Sequence, residues 1–410
     1  MARDKFMAQL DANLVNQAAF VNEPQWMTDL RINEFNKLAD EALPRVDKIK
    51  YQSWKVINQK VTSSDAIATE TFTVTEEMQA AEVVICDFET ALTEHEDLLK
   101  PYLEKICEKQ TDRLTSLNFA ALNQGTFIYV PKNVELKTPI NITTTQHTET
   151  QRTLFDRIVI VGDVNSHFDV VHSTQSQGNA KTIAHLSADV FAKTGSKIQF
   201  FGMDATASNT TSFIMRHAWA SKHATMNWMI GALNDGNTVA DFMVDLDGEG
   251  SVSDSRVVGI ANGRQQQGIN TRLTNFGVHS DAQIDQRGAI LDKAKIVFNG
   301  IGKVQHGAHN ANNQQQNHVL MLSDEASGDA NPILLINEHD VVAGHAASIG
   351  RIDEKQLYYL MSRGLSKTVA EKLVIRGFLG IILAQIPSKT IRDQMVTTIE
   401  RKLDHERPTP

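Results

Sequence analysis

The sequence predicts a mainly β chain, a parallel β-helix solenoid flanked by N-terminal and C-terminal helical regions, and three observations carry that prediction. From about Leu114 to about Ile336 the chain is a succession of short apolar or alternating segments, among them GTFIYVP, RIVIVGD, SKIQFFG, TMNWMIG and TVADFMVDL, parted by Gly, Asn or Asp turns. No helix-length segment intervenes, which excludes a βαβ chain. The segment starts recur: Thr225, Val239 and Val252 are 14 and 13 residues apart, and Gln283 and Ile296 again 13. That is the spacing of a solenoid whose coils each hold about two such segments. On both flanks the apolar spacing becomes helical instead.

Taken in order, residues 1 to about 50 read as helices, with Phe6, Leu10 and Leu14 at spacing four, then Trp26, Leu30, Phe35, Leu38 and Leu43. Pro24 suits a first turn and Pro44 a stop. SWKVINQKV and ATETFTVTEEM alternate as strands do, whereas TALTEHEDLLKPYLEKICEK is helical, so residues 1–113 form an N-terminal helical and α+β region. Residues 114–340 are the solenoid, with Val, Ile, Phe and Met expected inside and Ser, Thr, Asn and Asp outside. The irregular step from Val252 to Thr271 predicts a longer loop at NGRQQQGIN. A sandwich or barrel would need more hairpin turns than the candidates Asn262-Gly263 and Asn299-Gly300 supply. Residues 341–410 form the C-terminal helical region. Asp353 caps its first helix with Gln356 at N3, Gly364 ends that helix, and Ser366 caps the next. Ala370, Leu373, Val374, Gly377, Phe378, Ile381 and Ile382 make the second helix's stripe, Pro387 follows it, a charged third helix starts near Ser388, and the closing RPTP is expected to be disordered.

The 410 residues carry a formal charge of -9 without long single-sign blocks, which argues against a nucleic-acid binder. Two cysteines, Cys86 and Cys107, exclude a disulfide scaffold and fit a reducing cytoplasm. Neither a secretory leader nor a membrane span is expected. No GxxxxGK[ST] loop occurs, so ATP binding by a P-loop is excluded.

Several constellations invite chemistry. DLDGEGSVSD lacks the order of a calcium loop and reads as a turn with solvated carboxylates. Asp281 and Asp285, with Arg287, would sit roughly 13 Å apart on one strand face, wider than the roughly 5 to 9.5 Å of glycosidase acid pairs. His306, His309 and His318 are too loosely spaced for a metal motif and read as surface histidines in a polar loop. Cys86, in VVIC, reads as a buried small hydrophobe, and Cys107 as exposed. His345 lies in GHAASIG, where small neighbours leave an imidazole free to face a partner or a ligand; a hydrogen-bonded structural histidine is the other reading.

DVVAGHAASIGRIDEKQLYYLMSRGLSKTVAEKLVIRGFL resembles the C-terminal signature of the SufB/SufD family, scaffold components of SUF iron-sulfur cluster assembly. NEPQWMTDLRINEFNKL resembles the family's EPxW entry helix, and LMLSD followed by NPILLIN its last coils. The resemblance implies a right-handed β-helix and a scaffold that is not itself an enzyme. It implies pairing with SufB through the β-helices and recruitment of the SufC ATPase by the C-terminal region, at Leu357, Tyr358, Tyr359, Leu360, Ser362, Arg363 and Gly364. His345 aligns with the family histidine at the SufB and SufD interface, which implies an iron ligand for a transient iron-sulfur cluster shared with SufB. A reduced flavin in the assembled complex and a homodimer in isolation also fall within what the resemblance implies. SufB-type chains follow this histidine with Glu and carry a cysteine in the late coils; here Ala346 follows and those coils have no cysteine, which argues for the SufD type. SufD chains commonly place Ser before and Gly after the histidine, where this chain has Gly344 and Ala346. The rival readings are a SufB-like homodimeric scaffold and a carbohydrate-active β-helix enzyme.

Overall fold

The computed structural model describes residues 10, 14–17, 20–58, 67–109, 112–384, 386 and 389–404. Strands β1 (Ala68–Phe72) and β2 (Val84–Asp87) precede β3 (Gln124–Val130), β4 (Ile140–His147), β5 (Leu154–Gly162), β6 (His167–Gln177), β7 (Thr182–Ala192) and β8 (Lys197–Ala205). Then follow β9 (Thr210–Ala220), β10 (Thr225–Ala232), β11 (Thr238–Leu246), β12 (Val252–Ala261), β13 (Gln266–Asn275) and β14 (Asp281–Ile290). The last four are β15 (Lys295–Val304), β16 (Ala311–Met321), β17 (Ser327–Ile336) and β18 (Val341–Arg351). From β3 onward, odd strands stack into one parallel sheet and even strands into another, giving about eight coils. β1 and β2 join antiparallel, on β4 and β3.

The period read from the sequence is the coil itself. Thr225 lies in register with Val252, so the two steps of 14 and 13 residues carry the chain once round. Asn133, Asn165, Gly195, His223, Gly250, His279 and Asn310 mark one corner of successive coils, each at positive φ. Each donates its N–H to the next coil, as Gly195 does to Lys222 O at 2.9 Å and Gly250 to Val278 O at 2.9 Å. This backbone conformation is open to Gly and tolerated by Asn and His, which explains the residue types at the corner.

Inside, register builds columns such as Val170, Phe200 and Trp228, all fully buried. The Phe200 and Trp228 rings meet edge to face at 5.0 Å. The interior is not uniformly apolar, however. The expected loop at NGRQQQGIN is absent because β12 ends at Ala261 and β13 starts at Gln266. Two of its three glutamines face inward: Gln265 Nε2 donates to Asn234 O and Gly236 O, each at 2.6 Å, and Gln267 Nε2 to Ile260 O at 3.1 Å, while Gln266 is exposed. The Asn- and Gln-rich run expected as a polar loop is strand β16, with Asn313, Gln315 and Asn317 buried. Amide pairing offsets the cost for two of the three: Asn313 Nδ2 reaches Asn275 Oδ1 at 2.7 Å and Gln315 Nε2 reaches Ile333 O at 2.9 Å, while the Asn317 amide has no partner among the described residues.

The N-terminal region supplies α1 (Leu14–Gln17), α2 (Gln25–Lys37), α3 (Glu76–Ala80), α4 (Phe88–Glu94), α5 (Glu96–Lys109) and α6 (Arg113–Ala120). Pro24 opens α2 as expected, but the helix ends at Lys37, well before Pro44. Its innermost side chain is Arg31, held by Ala120 O at 3.1 Å, Val15 O at 2.9 Å and Glu23 at 2.6 Å. Residues 53–58 of SWKVINQKV form no strand; the rest of that segment and Phe6 lie outside the described residues. Cys107, expected at the surface, is 7% exposed on the inner face of α5. Burial pushes its thiol pKa well up and that of Cys86 to about 12, so neither is a ready thiolate.

The C-terminal helices are α7 (Glu354–Ser362), α8 (Lys367–Leu383) and α9 (Lys389–Leu403). The residues from Val341 to Arg351, which the sequence division at 340 assigned to the helical region, form the last strand instead. Their small residues alternate as readily along a strand as round a helix. Asp353 and Ser366 cap α7 and α8 by accepting from Lys355 N and Val369 N, and Gly364 takes φ +93° after α7. The buried face of α8 is Ala370, Glu371, Ile375, Leu379, Ile382 and Leu383. The expected stripe is rotated from this, since Leu373 and Ile381 are 41% and 51% exposed. A helix apolar on several faces leaves the choice of face to its surroundings. Pro387, Ser388 and the RPTP tail lie outside the described residues.

Helix α9 is fastened by a buried ammonium. Lys402 Nζ donates to Asn234 O and lies 3.0 Å from Asp235 Oδ1, and Arg401 reaches Asp235 Oδ2 at 2.7 Å. Burial pulls the Lys402 pKa from 10.5 to about 8. Between those two values the unfolded chain holds the extra proton, so stability rises with pH across that window and levels off above it. Lys402→Met is expected to abolish that rise in urea titrations run at intervals from pH 7.5 to 10.5.

Candidate functional site

The two ends of the solenoid differ. Antiparallel strands lie over the first coil, whereas β17 and β18 are the last members of their sheets and each leaves one edge unpaired among the described residues. Such an edge is a row of free N–H and C=O groups that templates another strand. Large apolar side chains are exposed around it: Leu335, Ile336, Val342 and Ile349.

His345 is at the middle of β18, in register with Gln315, which is in register with Ile284. Gln315 and Ile284 are buried interior residues, so the same row of β18, Ala343, His345 and Ala347, lies over the interior. These residues are exposed because no coil follows them. Alanines on either side leave the imidazole standing above the open cross-section. Among the described residues, no three His, Cys, Asp or Glu side chains converge as a metal set. His345 therefore offers a single nitrogen.

The other candidates stay apart from it. His306 Nδ1 and His309 Nδ1 are each 3.5 Å from the Glu338 carboxylate, and both histidines are largely exposed. N–H groups of Gly307 and His339, both at 2.8 Å, hold the Glu338 pKa down at about 2. His318 points elsewhere, its Nδ1 2.7 Å from Ser348 Oγ, with burial and then Arg287 lowering its pKa. Asp285 takes Arg287 Nε at 3.3 Å and Asp281 takes Asn312 Nδ2 at 3.2 Å, so these two acids face different partners. DLDGEGSVSD ends β11, turns, and begins β12, but its carboxylates are not all solvated as expected: Asp245 faces His217 at 3.0 Å and Asp254 pairs with Arg256, because both lie on strands and not in the turn.

Helix α7 has no buried residue. Leu357 and Leu360 are half-buried, while Tyr358, at 77% exposed, is joined by Tyr359, Ser362, Arg363 and Gly364 in facing solvent. The Arg363 guanidinium lies 5.3 Å from the Tyr359 ring centroid. Sequence reasoning did not single out the neighbouring patch of Leu335, Ile336, Val342 and Ile349; the only available signal was a strand whose apolar residues have no following coil.

Two family descriptions match the chain: the SufBD core domain of SUF system FeS cluster assembly over residues 143–378, and the SufBD protein N-terminal region over 25–142. The chain belongs to the SufBD family. That membership makes it an assembly component of the SUF iron-sulfur system. It is 34% identical to the iron-sulfur cluster assembly protein SufD of Bacillus subtilis, over 93% of this chain and 95% of that one. To the SufB of the same organism it is 22% identical, over 89% and 87%. A SufBD family protein of Staphylococcus aureus is also 22% identical, over 92% and 90%. Within the SufBD family the chain is thus most like SufD. No described helix is long and apolar enough to cross a membrane.

Proposed function

We propose that this SufBD-family chain is a SufD-type scaffold that pairs end-on with a SufB-like chain, recruits a SufC ATPase through α7 and α8, and holds a nascent iron-sulfur cluster as cargo where the two solenoids meet. It contributes no catalytic group of its own. The observation that carries the reading is the open C-terminal end: unpaired edges of β17 and β18, ringed by exposed apolar side chains, in a chain whose other end is overlaid by antiparallel strands. A partner strand would satisfy those edges and extend the sheets. In isolation the same edges would serve a second copy, giving a homodimer.

At that junction His345 supplies one neutral imidazole for iron, and the partner supplies the thiolate that this end of the chain lacks. The exposed tyrosines of α7 suit an ATPase-docking surface, since buried Tyr and Arg dominate binding energy at interfaces. Closure of a SufC dimer on ATP would shift α7, and only differential contact between its two states can transmit work to the solenoid end. Co-purification tests the reading directly. Tagged full chain is expected to retain both SufB and SufC from the same organism, and Tyr358→Ala with Tyr359→Ala to lose SufC about a hundredfold while keeping SufB. Retention of neither partner by the parent chain overturns the proposal.

A further inference from the structure

The N-terminal region covers only part of the outer face of the odd-strand sheet. Beside the segment 42–44 lies a cleft of about 550 Å³, a volume typical of small-molecule sites. Strand register lays its floor out in two rows. Met243, Arg272, Ile301 and Ile333 are successive partners in one; Thr274, Lys303 and Leu335 are partners in the other.

At the inner end the charges are matched. His217 Nε2 is 3.0 Å from Asp245 Oδ2, Arg272 reaches Asp241 Oδ2 at 3.3 Å, and Lys109 on the far wall holds Asp245 further down. Asp112, also on that wall, is used up as the cap of α6. The outer end is different. Lys303 makes no ion pair with any described residue, and the Thr274 hydroxyl, in a residue 4% exposed, makes no hydrogen bond to one. A cation with no counter-charge beside a hydroxyl with no protein partner leaves two donors of one anion unused at this end. Next to Lys303 the floor turns apolar, with Ile301, Ile333 and Leu335 lining the cleft.

We propose that this cleft binds a small organic anion, its carboxylate or phosphate head held by Lys303 and the Thr274 hydroxyl with Arg272 behind, and its apolar body lying over Ile301, Ile333 and Leu335. The head needs charge-assisted hydrogen bonds and the body needs the apolar floor, so neither a bare anion nor a bare hydrocarbon satisfies the site. Leu335 belongs both to this floor and to the apolar rim of the open end, so the site adjoins the proposed partner surface; binding is therefore read on the free chain, where loss of SufB pairing leaves the result unchanged.

Isothermal titration calorimetry on the full chain tests it with phenyl phosphate, phenylacetate and inorganic phosphate. Saturable binding of one aryl anion is expected, identifying the head, with inorganic phosphate at least about tenfold weaker. Lys303→Gln is expected to weaken the aryl anion about tenfold without changing thermal unfolding. Lys293→Gln, which removes a surface lysine paired with Glu325 at 2.6 Å, should bind like the parent. Absence of saturable binding by both aryl anions, parent-like affinity in Lys303→Gln, an equal loss in Lys293→Gln, or inorganic phosphate binding as well as phenyl phosphate each overturns the proposal.

Discussion

Arg216→Met is expected to destabilise the solenoid by about 3–5 kcal/mol, the largest loss of any single substitution argued for this chain. Arg216 lies inside the coil stack with its guanidinium on Asp204, Nη2 at 2.6 Å from Oδ1 and Nη1 at 2.9 Å from Oδ2, and both side chains are essentially fully buried. Phe200 and Phe242 flank the guanidinium at 5.3 and 5.5 Å from their ring centroids. A buried pair gains little over an apolar pair, because the cost of desolvating two ions offsets their attraction. Removing one partner is different, since the other is left charged in a low-dielectric interior. The Thr174 hydroxyl, 3.2 Å from Asp204 Oδ1, is too weak a substitute. Adding Asp204→Leu to Arg216→Met should therefore recover most of the lost stability. Urea unfolding of the parent, the single and the double variant measures this; a double variant no better than the single would mean that the pair itself, not the orphaned carboxylate, carries the energy.

Why some of this was legible and some was not follows from what a linear pattern encodes. Spacing encodes the coil, so Thr225 and Val252 could be read as equivalent positions, and they are in register. Helix caps are local chemistry, so Asp353, Ser366 and Gly364 were also readable. The polar interior was not. Asn313 and Gln315 look like loop residues until the carbonyls that accept their amides are brought alongside by other strands of the stack, and that pairing is nonlocal. The face of α8 was misread for the same reason, because Leu373 and Leu379 are equally apolar and only the sheet beneath selects one. At the candidate site, the family signature located His345 and α7. Their exposure comes from where the solenoid stops, which no residue type announces.

Ile349→Asp should leave the free chain folded and weaken pairing with a SufB-like chain about a hundredfold or more, whereas His345→Ala should leave pairing intact and lower cluster assembly. Ile349 is 43% exposed on the inner row of the last strand, in register with buried Val319, so a carboxylate there remains solvated in the free chain. In the proposed end-on complex a partner strand covers it, and burying an unpaired charge costs about 2–5 kcal/mol. Biolayer interferometry at two salt concentrations separates this from a long-range charge effect, which salt would screen. His345 stands on the inner row, stacked in register over Gln315 between two alanines. Truncating it removes a nitrogen ligand but little apolar contact, so its effect belongs in the yield of assembled cluster and not in affinity. Equal loss of affinity in the two variants would make His345 part of the contact surface, and unchanged cluster yield would leave it as a structural residue of the last strand; only loss of yield at parent affinity fits an imidazole that waits at the open end for iron.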